Sequence, residues 1–419
     1  MKVLWTVNVI FPYPASEMGL KMTPYGGWLF GLFSKIREYP NIELCIVTTY
    51  RGKKLKMFKN SNVIYYLVPC VNAKKKTRKL INYCRYIYNE FKPDIIHIHG
   101  TEYIYGKIFQ EVSNNAKNVV SIQGLTSIYS NYYMANLKVS DIRRNFTIRN
   151  IIKGNILREQ KKFFRSGKIE KAIINNSTAV IGRTTWDYAN TVEFEKEKKY
   201  YLCNENLRDE FYEKKWNINS IERHSIYVSQ GGYPIKGLHI VLEALNILKH
   251  RYPDIKLYVA GRDITKCNSI MEIIKYSNYH KIISKMIKKY NLQQYIKFTG
   301  QLNATQVTEK MLKSNVYVQA SSIENSSNAL GEAMIIGVPC VASYVGGTPD
   351  IIKDKEEGLL YPFGDYALLA HYISKVFDDD RLALKLGKNA KMHAEITHNR
   401  INNAKATIEI YNEIINEKE

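Results

Sequence analysis

Two carboxylates lie in one short stretch, Ser321-Ser322-Ile323-Glu324-Asn325-Ser326-Ser327-Asn328-Ala329-Leu330-Gly331-Glu332. Ser327 or Asn328 can cap a helix whose first turns carry Glu332, while Glu324 stays on the preceding loop. The pair can therefore face one ligand from two sides of a helix start. A second loop, Ser229-Gln230-Gly231-Gly232-Tyr233-Pro234-Ile235-Lys236-Gly237, brings a lysine to the entrance of another helix. It is not a Walker A loop, because no Lys-Ser or Lys-Thr follows the glycines at the required spacing. Lys236 offers a point charge to a phosphate oxygen, at a helix end where the dipole disfavours a bare cation. A third loop, Pro24-Tyr25-Gly26-Gly27-Trp28, has the paired glycines that let backbone N–H groups approach a phosphate. Ordinary turn glycines and a solvated lysine are the plain alternatives for the last two.

Those loops need rigid elements to hold them, and the chain supplies apolar runs that alternate with helical periodicity. Strands are expected at Val3–Val9, Glu43–Thr48, Val63–Val68, Ile95–Ile98, Val119–Ile122 and Ala179–Gly182. Further strands are expected at Ser225–Ser229, Lys256–Ala260, Lys297–Thr299, Val316–Gln319 and Pro339–Ala342. Helices such as Trp28–Glu38, Thr77–Phe91 and Tyr103–Ser113 fall between them. Such alternation predicts βαβ units and parallel sheets, hence an α/β protein of two Rossmann-like domains in series. The junction is expected near Cys203–Asn219, giving domains 1–205 and 206–401, with a C-terminal helix (402–419) packing back across it. Open sheets of this kind bind ligands at the carboxyl ends of their strands, which is where all three loops lie.

The 419 residues exceed the roughly 250–300 at which single cores stop growing. The opening MKVLWTVNVIFPYPAS reads as a buried first strand rather than a signal peptide, since Asn8 interrupts its short apolar run. No stretch approaches the ~20 apolar residues of a membrane span. Six scattered cysteines without a C-x-x-C spacing argue against a zinc site or a disulfide framework and suit a reducing cytoplasm. Net charge is +22, and it is uneven: 36 basic and 18 acidic residues precede Ser220. A basic N-terminal half attracts a polyanion, such as an anionic membrane surface, nucleic acid or a phosphorylated substrate. Its densest part, Ser130–Lys171, interleaves Tyr132, Tyr133, Phe146, Phe163 and Phe164 with arginines and lysines. That mixture suits a membrane interface and equally a single-stranded nucleic acid.

Glu324 and Glu332, followed by AMIIGVPCVAS and GGTPDII, resemble the donor-site motif of glycosyltransferase family 4. The resemblance extends to Gly26-Gly27, PDIIHIHG (93–100), Lys236-Gly237, FTG (298–300) and EEGLLYPFGD (356–365), while 126–171 resembles nothing recognisable. It implies a GT-B fold, two Rossmann-like domains facing each other across a cleft, and retaining sugar transfer from a nucleotide-sugar without a metal. Carried over residue by residue, Glu332 would hold the donor ribose and Glu324 would sit beside the transferred sugar. Lys236 would stabilise the diphosphate, Gly26 and Gly27 would cradle it, and His99, rather than His97, would be the active-site histidine. Gly231, Gly232, Asn325, Ser326, Ser327 and Asn328 would complete the donor site, with the base near Gln301. The family places an arginine five residues before the lysine, where this chain has Gly231; Arg262 is a candidate substitute.

The resemblance thus implies a hexosyltransferase of bacterial surface polysaccharide synthesis (capsule, exopolysaccharide or lipopolysaccharide). Its expected donor is a UDP- or GDP-sugar, its acceptor a saccharide or lipid-linked saccharide, and its place the cytoplasm or the inner membrane face. No resident cofactor and no nucleic-acid partner are expected. The alternatives are a nucleotide-sugar epimerase on the same fold and a nucleic-acid-binding protein that uses the basic half.

Overall fold

Val3 and Trp5 are fully buried in one apolar cluster, and Leu4 between them is fully buried in another. A strand whose successive side chains enter two different cores must lie inside a sheet covered on both faces, as in doubly wound α/β proteins. The computed structural model, which describes residues 1–20, 26–113 and 116–417, has this architecture twice.

The first sheet contains β1 (Lys2–Thr6), β2 (Glu43–Tyr50), β3 (Lys56–Asn60), β4 (Val63–Pro69), β5 (Ile95–His99), β6 (Asn118–Ser121), β7 (Ala179–Gly182) and β8 (Lys199–Leu202). Its order is β3-β4-β2-β1-β5-β6-β7-β8, parallel except for the β3–β4 hairpin. The chain winds outward in one direction through β2 and β4 and in the other through β5 to β8. The strand order therefore reverses between β1 and β5, and ligand loops belong at that point. The second sheet, β9 (Glu222–Val228), β10 (Lys256–Val259), β11 (Ile296–Phe298), β12 (Ser314–Gln319), β13 (Cys340–Ser343) and β14 (Leu359–Tyr361), has the order β11-β10-β9-β12-β13-β14. All its pairings are parallel, and its reversal lies between β9 and β12.

The opening segment forms β1, a central strand with neighbours on both sides. Three strands carried no readable signal. β3 (KMFKN) is a polar edge strand, and β8 and β14 are edges of four and three residues.

By packing, the chain forms two compact units. The first contains Met1–Ile128, Phe164–Leu207 and His398–Glu419; the second contains Tyr129–Phe163 and Arg208–Thr397. The helix Arg400–Asn416 buries Tyr411 and Ile414 in the first unit's core. One boundary differs from the sequence reading, which gave all of 1–205 to the N-terminal domain. Tyr129–Phe163 packs with the C-terminal unit because polar contacts tie it there. The Asn278 side chain donates to the carbonyls of Ile142 (2.9 Å) and Asn145 (3.1 Å), and Lys281 donates to that of Phe146. The basic, aromatic stretch Ser130–Lys171 is therefore shared between units. Tyr133, read as an interfacial aromatic, is buried, with its hydroxyl donating to Glu159 and its ring against Phe163.

Candidate active site

In the C-terminal unit the two loops at the sheet's reversal point lean on each other. After β9, Pro234–Lys236 makes a tight turn and Gly237 follows with a left-handed φ of +66°. A Cβ at Gly237 would lie 1.7 Å from the Ala320 carbonyl oxygen, so glycine alone fits both the backbone and the approach of the loop after β12. Ser322 N–H donates to the Ile235 carbonyl at 2.8 Å, locking the loops in register.

This contact brings Lys236 to Glu324, and the two form an ion pair. Burial works against the lysine's charge, but Glu324 outweighs it and raises the Lys236 pKa above its ordinary value. The ammonium therefore stays charged at any ordinary pH. The Glu324 Oε1 that meets Lys236 also accepts from Ser321 Oγ at 2.6 Å. Its carbonyl accepts from the N–H of Gly347, at the turn of the GGTPDII motif. Asn325 N–H donates to the Tyr129 hydroxyl at 2.8 Å, and Ser322 Oγ donates to the Tyr132 carbonyl at 2.9 Å. The segment that resembles nothing thus buttresses the best-recognised loop.

Ser327 caps the helix Asn328–Ile336 by accepting from Leu330 N–H. Asn328 opens that helix, with a buried Oδ1 lacking any partner among the described residues. One turn in, Glu332 is almost fully buried and held on both oxygens by Arg208, Nε to Oε1 at 2.6 Å and Nη2 to Oε2 at 2.7 Å. Burial raises the Glu332 pKa, while hydrogen bonds and charge from Arg208 oppose the shift. A carboxylate has about four lone-pair directions, so a bidentate arginine leaves room for ligand hydroxyls.

Five further expected residues lie around these loops as follows. Gly231 is packed into the core, where a Cβ would meet Leu238 at 2.7 Å and Val259 at 2.8 Å, so this loop has no room for the family's arginine. Arg262 does not stand in for it beside Lys236. It lines a separate cleft with Arg149 and Lys275, and that cleft does not include Lys236 or Glu324. Gly232 faces open space at its Cα and lines the same cleft. Gln301 is exposed, one residue beyond the bridge that joins Gly261 to Gly300. Ser326 is half-buried in the loop between Asn325 and the cap.

In the N-terminal unit, His99 ends β5 beside the sheet's reversal point. Its ring is flanked by His97 at 3.7 Å, Trp5 at 4.6 Å and Trp28 at 5.7 Å between centroids. Both nitrogens are buried, and neither has a partner among the described residues. His97 is the opposite case: its Nδ1 meets Tyr411 OH at 2.5 Å and its Nε2 meets Ser121 Oγ at 2.7 Å. Burial, with the positive Arg183 nearby, lowers the His97 pKa to about 3. Burial, His97 and Arg183 together push His99 well below its ordinary value. Both rings are neutral at physiological pH.

Gly26 caps the helix Gly27–Ile36 in a left-handed conformation (φ +85°), with its Cα against Val9. Pro24 and Tyr25, the start of that expected loop, lie outside the described residues. Sequence reasoning missed Arg208, Ser321, Tyr129 and Glu102. Glu102 follows His99 on its loop, and burial, partly offset by hydrogen bonding and by Lys74, raises its pKa. Among the described residues no three of His, Cys, Asp and Glu form a group able to hold a metal ion.

Two parallel-sheet Rossmann-like units, each with its loops at the strand-order reversal, define a protein of the GT-B fold. Solved structures agree along the whole chain. Sucrose-phosphate synthase from Thermosynechococcus elongatus superposes with a TM-score of 0.72 at 16% identity, covering 99% of both chains. Anabaena HepE, in a complex with UDP and glucose, superposes with a TM-score of 0.67 at 14% identity, covering 99% of this chain and 100% of that one. Residues 208–393, within the C-terminal unit, match the family model "Glycosyl transferases group 1". Among curated relatives, the putative glycosyltransferase YtcC of Bacillus subtilis is 24% identical over 209 residues, 49% of each chain. The capsular polysaccharide biosynthesis glycosyltransferase CapM of Staphylococcus aureus is 24% identical over 223 residues, 52% of this chain and 51% of the relative. The match thus spans about half the length of these relatives.

Proposed function

We propose that the protein is a retaining glycosyltransferase that moves a sugar from a nucleotide-sugar to a saccharide or lipid-linked saccharide acceptor, in the synthesis of a bacterial surface polysaccharide. The observation that carries this reading is the Lys236–Glu324 ion pair on two interlocked loops, with Glu332 held bidentately one helical turn beyond. A charged lysine and the unsatisfied N–H groups of a helix start suit a diphosphate, and a fixed carboxylate suits a ribose diol.

Breaking the bond between the anomeric carbon and the diphosphate oxygen leaves negative charge on the diphosphate. Lys236 stabilises that charge without reorganisation, because its loop is already fixed. Glu324 stands beside the ammonium and next to the sugar. The acceptor hydroxyl oxygen bonds to the anomeric carbon on the face the diphosphate leaves, and its proton passes to a departing phosphate oxygen. This same-face course retains configuration and needs no enzyme nucleophile. His99, neutral and with neither nitrogen partnered among the described residues, is the N-terminal unit's candidate for hydrogen-bonding the reacting sugar.

The test is nucleotide release from UDP-, GDP-, ADP- and CMP-sugars, with and without EDTA, comparing wild type with Glu332→Ala. Release from one donor, lost in the variant and indifferent to EDTA, supports the reading and names the sugar. Release that EDTA abolishes, or that survives Glu332→Ala, contradicts it. If no donor is turned over, thermal stabilisation by a donor decides: stabilisation points to an obligatory acceptor, and its absence overturns the reading.

A further inference from the structure

Helices on a protein surface ordinarily turn their apolar side inward. The short helix Ile148–Lys153 does the reverse. Ile148, Ile151 and Ile152, at positions i, i+3 and i+4, share one face, and that face is in solvent, with Ile151 73% exposed. The adjoining Phe146 is exposed as well. Packed against this helix is Ile270–Lys275, whose first two residues, Ile270 (77%) and Met271 (59%), are also in solvent. Six large apolar side chains on contiguous elements of the C-terminal unit thus form an exposed ridge, where single scattered residues would be unremarkable.

The charges around the ridge are predominantly positive. Residues 138–153 carry five cations and one carboxylate, Asp141. The neighbouring acids are engaged locally: Glu272 caps its own helix by accepting from Asn268 and Ser269 N–H, Asp263 accepts from Thr265, and Glu159 pairs with Arg149 at 2.5 Å. On the flank of the ridge, Arg149, Lys153, Arg262 and Lys275 line a cleft of about 460 Å³ with His280 at its base. Arg149 Nη1 is buried in that region without a partner among the described residues. The positive field of Arg262 and Arg149 reaches His280, where it adds to burial in lowering the imidazole's pKa to about 4.

We infer that this face of the C-terminal unit docks on an anionic phospholipid bilayer. The Phe146–Ile152 and Ile270–Met271 ridge enters the headgroup boundary, and the basic cleft takes a lipid phosphate. Apolar insertion beside a cation cluster matches such a surface in both terms, burial and attraction to anionic lipid. The inference rests on the proposed membrane-linked acceptor for its purpose, but not for its geometry. It narrows the expected membrane contact to the part of the basic stretch Ser130–Lys171 that packs with the C-terminal unit, and adds Ile270–Lys275 to it.

The test is co-sedimentation of the full chain with phosphatidylcholine vesicles, with and without about one-third phosphatidylglycerol. Wild type is expected to bind the anionic vesicles at least ~10-fold more tightly. The pair Ile151→Asp/Ile152→Asp should lose that binding, and Lys153→Gln/Lys275→Gln should lose the preference for anionic lipid. All four positions are exposed, so melting temperature and nucleotide release should not change. Equal binding to both vesicles, no binding, or wild-type binding by the aspartate pair overturns the inference. Vesicle binding with neither nucleotide release nor thermal stabilisation by a donor would instead sink the proposed function and leave the docking surface standing.

Discussion

The two units have the same sheet logic and opposite chemistry at its focus. In the C-terminal unit the charged candidate groups are already paired, Lys236 with Glu324 and Glu332 with Arg208, and Ser321 donates to Glu324 as well. In the N-terminal unit the candidate group, His99, is neutral, has no hydrogen-bond partner among the described residues, and is flanked by two tryptophans and a second histidine. Charge in a low-dielectric site is tolerated only with a partner, whereas a neutral ring can be buried bare at modest cost. On the proposed function, one half would hold an ionic ligand by exchanging partners and the other would offer a hydrogen bond to an uncharged one.

The strongest attempt to break this contrast removes the arginine that neutralises Glu332. Arg208→Leu would leave a buried carboxylate unpaired, at a cost of about 3–5 kcal/mol in urea unfolding. Arg208→Leu/Glu332→Met should recover most of that loss, because replacing both partners by apolar groups leaves nothing unpaired. If the double variant is no more stable than the single one, Arg208 stabilises by packing, and the pairing account is wrong. Lys236→Ala comes next. It removes a fixed cation facing developing charge, and turnover at saturating donor should fall about 10²- to 10³-fold, equivalent to ~3–4 kcal/mol of barrier. A change confined to KM would mean that Lys236 holds ground and transition states equally.

The same contrast explains what the sequence disclosed. Glu324, Glu332, Lys236 and Gly237 are legible as a candidate site because closely packed loops at strand ends have few residue choices and fixed neighbours. Gly237, for instance, must fit against the Ala320 carbonyl. Arg208 was not legible. It is a lone arginine in a polar stretch, and its role arises only when folding sets it 124 positions away on Glu332. The allegiance of Tyr129–Phe163 was hidden for the same reason, since it depends on Asn278 reaching the carbonyls of Ile142 and Asn145. Backbone acceptors leave no mark in a side-chain pattern. The parallel core strands were readable from continuous apolar runs, but β3, with polar residues on both faces, has no alternation to read.

In the N-terminal unit the counterpart test is smaller. Tyr411, on the C-terminal helix, meets His97 Nδ1 at 2.5 Å and accepts from Trp5 Nε1 at 3.0 Å. Tyr411→Phe keeps the ring and leaves two buried groups unsatisfied, at about 1–3 kcal/mol. If Tyr411 also positions His99 through the adjacent His97 ring, kcat should fall while donor-dependent thermal stabilisation is unchanged. Loss of stability alone would limit the helix to a structural role.

The least disruptive probe is pH. Burial, with neighbouring charge at some sites, lowers His97 to about 3, and His239 and His280 to about 4, from an ordinary value near 6.5. Between pH 6.5 and 4 the folded protein keeps these rings neutral while the unfolded chain takes up protons. The unfolded state therefore binds more protons, and stability rises with pH across that window and falls on acidification. Each ring contributes up to about 1.4 kcal/mol per pH unit. Two of these rings belong to the C-terminal unit, and His239 there has its Nδ1 beside Tyr279 OH and its Nε2 beside the Ala135 carbonyl. His239→Gln should flatten the acid slope of the urea midpoint by one histidine's share. A slope left unchanged would show that His239 protonates in the folded state. In that case its contact with the Ala135 carbonyl survives as a cation's hydrogen bond, and the neutral assignment fails for this unit.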